Sequence, residues 1–187
     1  MNPVKYRFFS AVALALSFLI TGSAKAEINT CEWSVSATFD EGAPRDYFHI
    51  SNESTGPWAI SAFNLDLEPS AGQLIFDTEA GGKGVEVFQL FDAEPGSVTM
   101  KEGKIPNDGD TELQLSFNGF AAGETFSFSI DVDDQLVDSA LGQIRVSGSE
   151  MAGSVMQIKM VNDRGEQRTQ QLRFNDKNKS VIEVSGC

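Results

Sequence analysis

The residues best suited to chemistry in this chain are aspartates in two short clusters, Asn107-Asp108-Gly109-Asp110 and Asp131-Val132-Asp133-Asp134. If both clusters meet at one place, their like charges repel until something neutralises them. A calcium ion is the simplest candidate, because it takes six to eight oxygen ligands from carboxylates, amides, backbone carbonyls and water. Asp108, Asp110, Asp131, Asp133 and Asp134 would suffice with Asn107 and water. The spacing departs from the EF-hand loop, which needs a glycine and a terminal glutamate at fixed offsets. Solvated loop ends that are merely acidic remain the alternative.

Other chemistries find less support. His49 is the sole histidine, which excludes zinc sites built on two or three histidines, and Cys31 and Cys187 are too far apart in sequence to substitute. A serine–histidine–acid triad would have to use His49, and no Gly-x-Ser-x-Gly elbow is present. Gly81-Gly82-Lys83-Gly84 runs into Val85-Glu86-Val87-Phe88, which reads as a turn entering a strand and not as a phosphate cradle opening a helix. A glycosidase needs a carboxylate pair at a set separation, and with 27 acidic residues no pair stands out. For a flat sugar-binding platform, Trp33 has core parity, leaving Trp58 and Tyr47 as the candidates. The expectation is a protein that is not an enzyme.

The elements that must position the aspartates are strands. Gly, Pro, Asn or Asp interrupts the chain every 8 to 12 residues or so, the pattern of an antiparallel sandwich or barrel. Val35, Ala37 and Phe39 share one face of a first strand with Trp33. Leu113, Leu115 and Phe117 share a face of a later one, followed by Phe126, Phe128, Ile130 and Val132. Met156, Ile158 and Met160 repeat the pattern, and Ile182 with Val184 closes it. Trp58 and Ile60 have one parity while Phe63, Leu65 and Leu67 have the other, which predicts a β-bulge near Ala62-Phe63. Gln135 to Leu141, capped by Asp134 and stopped by Gly142, predicts one helical turn.

Asn118 to Gly123 is rich in turn formers and predicts a hairpin between the strands on either side. Setting Phe117 against Glu124 pairs Leu115 with Phe126 and Leu113 with Phe128, apolar on apolar. The same register carries Asp110 opposite Asp131 and Asp108 near Asp133. Directly opposed carboxylates cost a strand pair up to about 1 kcal/mol. A bound cation would reverse that sign.

Residues 1–26 read as a secretory signal: Lys5 and Arg7, the apolar run Ala11 to Ile20, then Ala24-Lys25-Ala26 as a cleavage site. The run is too short to span a bilayer, and no later stretch comes close. Residues 27–187 are then one domain with 11 basic and 27 acidic residues, a net charge of −16. Such a field argues against nucleic acid and anionic membranes as partners. In an oxidising compartment Cys31 and Cys187 could form a disulfide joining the two ends, worth up to about 4–5 kcal/mol by loop-closure entropy. An intermolecular bridge or two free thiols are the alternatives.

Several stretches resemble a group of small exported bacterial proteins labelled "aggregation factor core", after a sponge cell-adhesion component. They are Phe39 to Asp46, Leu74 to Thr78, Gly84 to Gln89, Phe128 to Asp134 and Val146 to Glu150, in order across most of the chain. The resemblance implies a periplasmic or extracellular location and a role in calcium-dependent adhesion, and it carries over to the acidic clusters. Asp46 and Asp77 fall in shared stretches, as second-site ligands or as turn caps, of which capping is the preferred reading. Members of the group carry a cysteine where this chain has Ser54-Thr55-Gly56, which would make a Cys31–Cys187 pairing peculiar to this chain.

Taken together, the sequence predicts a single antiparallel β-sandwich, jelly-roll-like, of roughly ten strands. It would be an exported interaction or adhesion module, calcium-stabilised, meeting a protein or glycan at the cell surface. A carbohydrate-binding module is the alternative, and a hydrolase comes third.

Overall fold

The computed structural model describes residues 33–42, 45–139, 141–177 and 182–185. The leader-like segment 1–26 and both cysteines lie outside the described residues, and so does the Cys31–Cys187 pairing. Among the described residues, no helix is long and apolar enough to cross a membrane.

The alternating segments form antiparallel strands, as expected. One sheet contains β1 (Ser34–Asp40), β2 (Tyr47–Asn52), β5 (Asp92–Ala93), β8 (Thr125–Ser129) and β12 (Ile182–Ser185), in the order β12-β1-β2-β8-β5. The second contains β3 (Trp58–Asp66), β6 (Met100–Lys104), β7 (Glu112–Phe117), β10 (Val155–Asn162) and β11 (Gln167–Arg173), in the order β11-β10-β3-β7-β6. A short ribbon pairs β4 (Ile75–Phe76) with β9 (Val132–Asp133). The chain crosses directly between the large sheets at β2–β3, β5–β6, β7–β8 and β11–β12, and by way of the short ribbon at β3–β4–β5 and β8–β9–β10, giving a sandwich.

The core lies between the sheets and is built largely of phenylalanine. Phe48 stacks on Phe128 at 5.0 Å between ring centroids, and Phe128 faces Phe63 of the other sheet at 6.1 Å. Phe117 meets Phe126 edge-on across the layers at 5.0 Å. Edge-on and offset pairs of this kind add to the stabilisation from buried area alone. Asn52 shows how a buried polar group is accommodated here. Its amide donates to the carbonyls of Trp58 and Phe120, and its oxygen accepts from the N–H of Ser54.

Three local expectations meet the structure differently. The β-bulge is present in β3: Lys159 pairs with Ala62 and Met160 with Ile60, leaving Ser61 as the extra residue. That single insertion turns both Ile60 and Phe63 inward. The hairpin between β7 and β8 does not form. β7 pairs with β3 and β6 while β8 pairs with β2 and β5, so Asn118 to Gly123 carries the chain from one sheet to the other. Among the described residues of 135–141 the predicted helical turn is not seen either. Asp134 Oδ1 instead accepts from the Leu136 N–H at 2.9 Å, closing an Asx turn. The described helix is α1 (Gly148–Met151), where Ser147 and Glu150 form a capping box.

Candidate metal centre

β4 brings the two acidic clusters together. On one side, Phe76 donates its N–H to the Asp110 carbonyl at 2.9 Å and accepts from the Gly109 N–H at 2.8 Å. On its other side, Ile75 pairs with Asp133 and Phe76 with Val132. Just beyond β4, Asp77 donates its N–H to the Asp131 carbonyl at 3.1 Å. Gln89 ties in the next segment, donating to Asp77 and accepting from the Asp131 N–H.

The side chains then converge. Oxygen atoms of Asp77, Asp131 and Asp133 all lie within 4.8 Å of one another, and the residues are 3%, 8% and 0% exposed. Asp133 Oδ2 accepts from the Val85 N–H at 2.6 Å, whereas Asp133 Oδ1 and Asp131 Oδ2 are buried and receive no hydrogen bond. A buried carboxylate oxygen without a donor carries its full desolvation cost. Gly84 presses against the same group, since a Cβ there would collide with the carboxylates of Asp77 and Asp133. Two residues on, Glu86 adopts a left-handed φ of 61°, a strained conformation for a residue with a side chain.

The electrostatics follow from this burial. Desolvation pushes Asp131 up to about 7, reinforced by the charges of Asp133, Asp77 and Glu41. Asp133 is also pushed up to about 7 by burial, against the opposing Val85 N–H. Asp77 is raised by burial and by a hydrogen bond to the Asp108 carboxyl. Burial also acts upward on Asp108, but the Lys83 and Thr78 N–H groups outweigh it and hold Asp108 below the usual carboxylate range. Burial and mutual repulsion thus disfavour the ionised triad, a cost that a bound cation would offset.

The five predicted ligands end up in different places. Asp131 and Asp133 belong to the triad, and Asp108 adjoins it through Asp77. Asp134 is fully buried, with Oδ1 in its turn and Oδ2 receiving no hydrogen bond, but it lies outside the triad. Asp110 accepts from the backbone and side-chain nitrogens of Asn107 at 2.9 and 3.2 Å, closing its own turn. Asp77 caps the Glu79 N–H at 3.4 Å, the capping role preferred for it from sequence, and its side chain is also one of the three that converge. Asp46 accepts from the N–H groups of Gly42 and Val132, joining two loops beside the centre, and burial with the Glu41 charge pushes it up to about 9.

An all-oxygen, all-carboxylate donor set suits a hard cation, calcium, magnesium or manganese, in preference to zinc or copper. Elsewhere, Ser127 Oγ lies 2.7 Å from His49 Nδ1 and Asp40 Oδ2 lies 3.6 Å from Nε2. These are the residue types of an acyl-transfer triad. Yet Ser127 sits inside β8, in register with His49 of β2 on one side and accepting from the Glu94 N–H on the other, a mid-strand position unlike the exposed turn of a nucleophile elbow. Trp58 is 4% exposed and is a core residue, so it offers no sugar platform. Comparison of the chain with protein-family models, curated proteins and solved structures returned no match. The metal reading rests on the site itself.

Proposed function

We propose that the chain is an exported, non-enzymatic interaction or adhesion module of the bacterial cell envelope or its surroundings, locked at one end by a calcium ion. The observation that carries the metal is the buried triad of Asp77, Asp131 and Asp133, with two carboxylate oxygens that receive no hydrogen bond. Calcium fits better than magnesium because the ligands come from separate segments with irregular loops between them. Magnesium demands near-ideal octahedral geometry and gives up its waters reluctantly. The adhesion role is supported by the resemblance to the aggregation-factor group and by the signal-like N-terminus.

In this reading the ion holds β4, β9 and the Gly84–Gln89 segment in one arrangement, so the surface around them keeps its shape only when calcium is present. The test is a thermal melt with calcium, with magnesium and with chelator. At a free concentration one hundred times Kd, a single site on the folded state adds about 2.7 kcal/mol. A calcium-specific rise in Tm is expected. An equal response to any salt would show charge screening instead and would remove the ion.

A further inference from the structure

The outer face of the second sheet carries a groove of about 460 Å³ that has no part in the metal centre. A row of carboxamides in register runs through it and on to the neighbouring strand β11, with Asn64, Gln114 and Gln157 lining the groove. Gln171 pairs with Gln157, Gln157 with Asn64, Asn64 with Gln114, and Gln114 with Lys104 at the edge strand. Their sequence neighbours Phe63, Leu65, Leu113, Leu115, Met156 and Ile158 point into the core, so the amides point outward. Beside this row lies a second one with a low floor, Lys159, Ala62, Ser116 and Glu102.

Three observations set the groove apart from an ordinary solvated sheet face. Asn64 Oδ1, at its centre, is buried and receives no hydrogen bond. Both strands that shape it are bulged, β3 at Ser61 and β6 at Lys101, and bulges bend a sheet locally. Lys104 and Lys159 line it with the single acid Glu102, Lys104 Nζ also lying 3.7 Å from Glu112 Oε2, on a chain of net charge −13.

We infer that this groove binds an oligosaccharide chain laid across the strands, with Asn64, Gln114 and Gln157 as its central contacts. A carboxamide offers a donor and an acceptor side by side, and sugar hydroxyls do the same, so the two surfaces complement each other along a row. Four amides and a lysine at the spacing of adjacent strands, roughly 4.8 Å, form a stripe almost 20 Å long. That suits an extended chain better than a compact ligand. A peptide adding as a strand would need an unpaired backbone edge, and β3, β7 and β10 are paired on both sides. The inference deepens the proposed interaction role by naming the partner, but it depends on none of the metal ligands.

Affinity electrophoresis of the full chain through gels containing dextran, xylan or alginate tests it, with calcium present throughout. Retardation in at least one gel is expected, and the polymer that retards tells a neutral chain from a uronate one. Asn64→Ala and Gln114→Ala should each weaken that retention about tenfold, as expected for losing hydrogen bonds to a bound ligand. Asp110→Asn, at a residue that does not line the groove, should leave it unchanged. No retardation in any of the three gels, or equal retardation of the groove variants, overturns the assignment. A calcium-specific melt with no sugar binding would leave the metal reading standing and remove only the groove.

Discussion

β4 has an acidic segment on each side, and the two sides differ in how their carboxylates are held. On the Asp110 side the carboxylate is half-exposed and accepts two hydrogen bonds from Asn107, so its charge is solvated and paired locally. On the Asp133 side, three aspartates are buried together and two of their oxygens receive nothing. Both segments look alike as sequence. What separates them is whether neighbouring N–H groups and water reach the oxygens. Acidity alone does not make a site; buried acidity left unpaired does.

That contrast can be broken at either side. The largest effect should come from Asp133→Asn, which removes a charged ligand and should lower calcium affinity about a hundredfold, near 2.7 kcal/mol, by isothermal titration calorimetry. Next is pH. Burial, with the charges of the neighbouring aspartates, pushes Asp131 and Asp133 up to about 7 in the folded chain, above the unfolded value near 4. Between those limits the folded state holds protons the unfolded state has lost, so metal-free stability falls as pH rises from about 4 to about 7. Melts in chelator should show a loss on the order of a few kcal/mol across that window, flattened in Asp131→Asn/Asp133→Asn. Asp46, at about 9, should leave a residual slope above 7 in that variant.

Gly84→Ala should cost about 1–3 kcal/mol by overpacking and should also abolish the calcium response, because its methyl meets two triad carboxylates. The smallest effect belongs to the other side of β4. Asp110→Asn should cost about 1 kcal/mol through a weakened turn and leave calcium affinity unchanged. If Asp110→Asn lowered calcium affinity as much as Asp133→Asn, the contrast between the two sides would fail.

Strand positions were legible because alternation reports which side chains face inward, as in Leu113-Leu115-Phe117 and Met156-Ile158-Met160. Even the bulge could be read, from the parity change between Ile60 and Phe63. Alternation does not report which sheet a strand joins. Phe117 and Phe126 do meet, but as faces of opposite layers, which a hairpin register cannot be told from by apolar matching alone. The two acidic clusters do flank a common element, but it is β4, a strand of two residues too short for any periodic signal, and of the five expected ligands only Asp131 and Asp133 fall in the triad. Asp77 is hard to read as a member of the triad for the same reason: it is distant in sequence from both clusters and has the local environment of a turn cap. The amide row was invisible because its members sit on separate strands, and only the register aligns them.

The central claim is that a divalent cation belongs among Asp77, Asp131 and Asp133. The most direct measurement is an anomalous-difference map from crystals of the chain grown with calcium. The account predicts a peak about 2.3–2.6 Å from oxygens of all three aspartates. A map with no peak there, and the three carboxylates held by water or by one another, would contradict it.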